Sequence, residues 1–72
     1  MAKNELMTLN KKKDFIRYIQ SLGYQQVKNS NTHAIYKCTG KNVLSIPAHG
    51  KEIAPGTLRN LIKLIQNESY YN

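Results

Sequence analysis

Two stretches of this chain space their apolar residues at the period of a helix, and the stretch between them does not. Phe15, Ile16, Ile19 and Leu22 fall along one helix face, and Leu58, Leu61, Ile62 and Ile65 repeat the pattern near the other end. Each stripe must be buried, and a 72-residue chain has room for only one small core to receive both. What lies between the stripes therefore has to supply the surface on which they pack.

The intervening residues read as strands. The segment 24–30, YQQVKNS, has strand character with Val27 as its single aliphatic residue, and Ser30-Asn31-Thr32 can turn the chain back because Asn tolerates left-handed geometry. A second strand follows over 33–38, a turn at Thr39-Gly40-Lys41, and a third strand over 42–47 that stops at Pro47. The first helix is expected over about 10–22 and ended by Gly23. The last is expected over 55–66, with Pro55 in its first turn and Thr57 as the competing cap. The order predicts an α+β fold: a two-layer α-β-β-β-α domain, a three-stranded antiparallel sheet with both helices on one face. Residues 1–72 are expected to form a single domain with its core at about 10–66, and frayed termini are expected to include Tyr70 and Tyr71. The uncovered sheet face is where function is expected.

Eleven Lys and Arg against four Asp and Glu leave a formal charge of +7, which favours a polyanionic partner, nucleic acid first and an acidic protein second. The single cysteine, Cys38, leaves no internal disulfide. The first residues carry Lys3 and Glu5 and no apolar run, so neither a signal peptide nor a membrane span is expected, and the expected location is cytoplasmic. No repeat or low-complexity segment suggests a second module.

His33 stands at the start of a strand, in the polar, basic surroundings of Asn31, Thr32 and Lys28, where a packing role is hard to arrange. His49 lies in the loop before the last helix and can serve either as a proton donor or to order that loop. A metal site from His33, Cys38 and His49 is not expected: no Cys-x-x-Cys or His-x-x-x-His pair exists, and acids are scarce. Cys38 reads as a small apolar side chain, and Ser30, Thr32 and Ser45 lack an acid placed to complete a hydrolase triad. Tyr24 and Tyr36 can stack on bases or fill the core. Among the basic residues, Lys12, Lys13 and Arg17 on the first helix, with Lys28, Lys51 and the hydroxyl of Thr32, are the expected nucleic-acid contacts.

The ordered set Leu22-Gly23-Tyr24, His33, Ile46-Pro47-Ala48-His49 and Pro55-Gly56-Thr57-Leu58 resembles the HicA family of mRNA interferase toxins over about residues 10–66. That resemblance implies a fold like the double-stranded RNA-binding domain, cleavage of mRNA that inhibits translation, and a HicB-like antitoxin as partner. It maps the catalytic histidine of the family onto His33. The family's Gly-Ser before that histidine is Asn31-Thr32 here; Asn can take the backbone of Gly, and Thr keeps the hydroxyl. No small-molecule cofactor is implied. The chemistry that fits is attack by the RNA's own 2′-hydroxyl, with His33 exchanging a proton, Lys28 and Lys51 stabilising phosphoryl charge, and His49 as the second candidate acid. A histidine, with a reference pKa of about 6.5, suits such exchange near neutral pH. The alternative is a non-catalytic RNA-binding module of the same fold, in which His33 only contacts the RNA.

Overall fold

The first helix, α1, spans Lys12–Ser21 and ends where Gly23 adopts φ +105°. The Gly23 N–H donates to the Gln20 carbonyl and the Tyr24 N–H to that of Ile19, at 3.0 and 3.1 Å. These are the paired bonds that close a helix on a left-handed residue. They also aim Tyr24 back under the helix, where it is buried against the core together with Ile19. This is a computed structural model, and it describes residues 8–66. The expected fraying of the termini, Tyr70 and Tyr71 included, concerns residues outside that range.

Three strands follow: β1 (Gln25–Asn29), β2 (His33–Lys37) and β3 (Leu44–Pro47), in the antiparallel order β1-β2-β3. The chain turns between β2 and β3 on Gly40, at φ +79°, with the Lys41 N–H on the Cys38 carbonyl. The second helix, α2, spans Pro55–Gln66; Pro55 takes its first position, and the Leu58 N–H reaches back to the Ala54 carbonyl. At the other end the Asn42 side-chain amide donates to the Leu64 carbonyl at 3.0 Å, satisfying a helix-end acceptor. The observed boundaries lie within two residues of those expected from the sequence.

Cross-strand register fixes the faces. Tyr36 opposes Leu44 and Ala34 opposes Ile46, and this face packs with Phe15 and Ile19 of α1 and with Leu58, Leu61, Ile62 and Ile65 of α2 in one core. His33, Ile35 and Lys37 alternate onto the other face, which neither helix covers. The result is the two-layer α+β arrangement of a double-stranded RNA-binding domain. Both tyrosines that could have stacked on bases belong to the core: Tyr24 donates its hydroxyl to the Asn42 carbonyl, and Tyr36 to the Gln26 side chain.

A β-bulge breaks the β1–β2 register. Gln26 opposes Tyr36, yet Lys28 opposes Ile35, so Val27 is an extra residue. Without it Lys28 would oppose Ala34 and face the core. The bulge turns Lys28 to the open face and leaves Val27 54% exposed.

Gly23 is the position where the fold depends on a missing side chain. A Cβ there would stand 3.2 Å from Cys38 Sγ as well as demanding a left-handed backbone from an L-residue. Gly23→Ala is expected to destabilise the protein by more than about 1 kcal/mol. In a domain of this size that corresponds to a fall of at least about 4 °C in melting temperature. An unchanged melting temperature would contradict the role given to this turn.

Candidate active site and nucleic-acid interface

The link between β1 and β2 is three residues long, and Ser30 organises it. Its N–H and its hydroxyl both donate to the His33 carbonyl, at 2.8 and 3.0 Å, while its Oγ accepts the His33 N–H at 3.1 Å. The His33 backbone is thus held from both sides before its side chain begins. On the far side, the Ala48 N–H donates to the Thr32 carbonyl at 2.8 Å, fastening the turn to the residue after β3. The His33 ring is exposed, and its Nδ1 lies 3.2 Å from Thr32 Oγ1. A titratable side chain on a pinned backbone, open to solvent on one flank, can meet a large substrate without being buried by its own fold.

Lys28 is the nearest cation that the register identifies. It sits directly across from Ile35, two residues along β2 from His33 on the same face. Such diagonal neighbours are about 7–8 Å apart at Cα, within reach of a lysine side chain. His49 is exposed, two residues past Pro47, which is the cross-strand partner of His33. Its loop therefore leaves the sheet at the same end as His33.

Lys12, Lys13 and Lys51 come together, joined by Lys11, which the sequence did not single out. With Gly50 and Glu52 they line an open groove of about 540 Å³ beside the first turn of α1. Backbone pairing builds this groove: the Lys12 N–H donates to the Lys51 carbonyl, the Ile53 N–H to that of Asn10, and Lys11 bridges to Glu52. Three consecutive lysines at the positive end of a helix dipole are electrostatically unfavourable there, and Asp14 in the first turn and Glu52 in the groove partly offset them. The side chain of the N-cap residue, Lys11, makes no capping bond. Arg17 stands apart from that group and lines a separate open hollow with Leu9, Asp14, Tyr18 and Ser21.

Lys12 differs from its neighbours. Its ammonium donates to the carbonyls of Pro47 and Ala48, both at 3.0 Å, and the residue is half-buried. Two of its three donors are therefore engaged within the fold, at the strand end opposite His33. Nothing in the sequence signals a bond that spans 35 residues. Cys38 is half-buried against the core, with its thiol 3.7 Å from the Leu22 carbonyl. Among the described residues no three of His, Cys, Asp and Glu are grouped so as to hold a metal ion. Nor is any helix among them long and apolar enough to cross a membrane.

Charged hydrogen bonds to backbone carbonyls are worth about 1.5–3 kcal/mol each when well enclosed, and less at a half-exposed site. Lys12→Met is therefore expected to destabilise the protein by about 1–3 kcal/mol in chemical denaturation. Lys13→Met, at an exposed neighbouring position, should stay within about 0.5 kcal/mol of wild type. Equal effects of the two substitutions would contradict the assignment of Lys12 as a tie between α1 and the end of β3.

Residues 13–66 match the family model described as HicA toxin of bacterial toxin-antitoxin. No curated protein and no solved structure matches the chain. The family match spans most of the sequence, from the second lysine of α1 to the last residue of α2, and takes in His33, His49 and the loop between β3 and α2. The chain belongs to the HicA toxins of bacterial toxin–antitoxin systems, and it is the toxin half of such a pair.

Proposed function

We propose that this toxin is an endoribonuclease that cleaves mRNA and so inhibits translation, in the cytoplasm where mRNA is read, as a stress response. The observation that carries the reading is the exposed His33 ring on a backbone pinned by Ser30, on the open sheet face and at the end of the sheet where the Lys12 ammonium is bound. RNA carries its own nucleophile, so the protein need only move protons and stabilise charge. His33 takes the proton from a 2′-hydroxyl as its oxygen attacks the adjacent phosphorus. The bond from phosphorus to the 5′-oxygen breaks, and that oxygen receives a proton, for which His49 is the candidate donor. Lys28 and Lys51 stabilise the negative charge that builds on the phosphoryl oxygens. Lys13, Arg17 and Thr32 contribute contacts to the RNA, and Lys12 contributes its remaining donor. No metal or small-molecule cofactor is needed for this route.

The antitoxin partner is HicB-like in this reading, and it occupies the open sheet face in competition with RNA. A non-catalytic module of the same fold would grip RNA through the same lysines and leave it whole. Transcript integrity separates the two. His33→Ala is expected to lower cleavage of a purified transcript by at least about 100-fold. Because the ring is exposed, stability should change by no more than about 0.5 kcal/mol. In cells lacking antitoxin the variant should permit growth. A folded His33→Ala protein that cuts RNA at the wild-type rate would overturn the assignment.

A further inference from the structure

The open groove beside α1 begins where the sheet ends. Lys12 lines it, and the Lys12 ammonium lies 3.0 Å from the carbonyls of both Pro47 and Ala48. Pro47 is the cross-strand partner of His33, and the Ala48 N–H is bonded to the Thr32 carbonyl. The chain then passes through His49 and turns at Gly50, where φ is +86°, and Gly50, Lys51 and Glu52 line the groove in their turn. The Lys51 carbonyl accepts the Lys12 N–H at 2.9 Å, so the loop is fastened on both sides of His49 and Gly50. Gly50 stands three residues past Pro47, at most about 11 Å of chain. His49 therefore lies, along this pinned loop, between the strand end at His33 and the groove.

We infer that the groove holds phosphates of the RNA on the 3′ side of the cut, and so sets the direction in which the strand lies. This direction rests on the roles proposed for the two histidines. As the 2′-oxygen bonds to phosphorus, the bond that breaks is to the 5′-oxygen of the next nucleotide, and the attacking and leaving oxygens lie roughly in line. The group that takes the 2′ proton and the group that protonates the leaving oxygen therefore approach the phosphorus from opposite sides. With His33 as acceptor and His49 as donor, the nucleotide 5′ of the cut lies towards His33, and the strand 3′ of it leaves past His49 into the groove. Lys11 and Lys13, both exposed, supply charge there that the chemical step does not use. Lys12 has two of its three donors engaged by carbonyls and forms the near wall. Contacts to phosphates carry no base information, but they fix the register and orientation of a strand.

Strands that are 2′-deoxy at every sugar but one confine cleavage to a single known position, and they can be lengthened on either side of it. With the full-length protein, a few nucleotides added 3′ of the ribose should lower KM several-fold, and the same number added 5′ should lower it less. Lys11→Gln should reduce the 3′ gain, and Glu52→Gln, which removes an acid from the groove, should enlarge it. A misfolded variant cannot produce the second effect. Binding of an all-deoxy strand, which cannot be cut, reads the groove without the chemistry. There Lys11→Gln should make the slope of log affinity against log salt shallower by about 0.7, the share of one phosphate contact on a single strand. A 5′ gain as large as the 3′ gain overturns the inference. Equal salt slopes for wild type and Lys11→Gln also overturn it, and would leave the groove to an acidic protein partner. If wild type cuts none of these strands while the slopes differ, the cleavage reading falls and the groove stands as a site for nucleic-acid phosphates.

Discussion

A three-stranded sheet with two helices to bury can cover one face and no more, and most of the molecule follows from that limit. Phe15 and Ile19 from α1 and Leu58, Leu61, Ile62 and Ile65 from α2 take the face that carries Tyr36, Leu44 and Ile46. Burying this apolar surface is the main favourable term available to a chain of this length. Since side chains alternate along a strand, the same packing fixes His33, Ile35 and Lys37 on the uncovered side. The candidate site is thus a consequence of the core: His33 faces outward because Ala34 and Tyr36 face inward.

The elements were legible in the sequence because each has a local cause. Helical spacing marks both stripes, Gly23 supplies the left-handed residue at which α1 stops, and Pro55 suits the first turn of α2. The exposure of His33 was legible for a related reason, since the residues around it are too polar to bury it. The tyrosines were not decided locally. Tyr24 and Tyr36 could have lain on either face, and only the register and the carbonyl of Asn42 assign them to the core.

What escaped the sequence depends on contacts between distant segments. The bulge at Val27 moves Lys28 from the core side to the open side, and a strand of polar residues gives no periodicity from which to detect it. The tie from Lys12 to the carbonyls of Pro47 and Ala48 gives one lysine of three a structural role its neighbours do not share. It also links the basic groove beside α1 to the strand end opposite His33. Lys11 joins that groove only because the segments preceding the two helices pair with each other. The groove therefore depends on tertiary pairing as much as on charge, and the net charge of +7 says nothing of where on the surface the lysines gather.

The central claim is that the RNA supplies its own nucleophile and His33 takes its proton. It is tested most directly by following a substrate with a single 2′-deoxy sugar immediately 5′ of the scissile phosphate, beside its all-ribose counterpart. Affinity comes chiefly from the phosphates, so both should bind alike and weaken alike as salt rises. The ribose substrate should be cut to a 2′,3′-cyclic phosphate and a 5′-hydroxyl, and the deoxy substrate should remain whole at that position. Cleavage of the deoxy substrate at that phosphate, or a product bearing a 5′-phosphate, would show that water is the nucleophile and contradict the account.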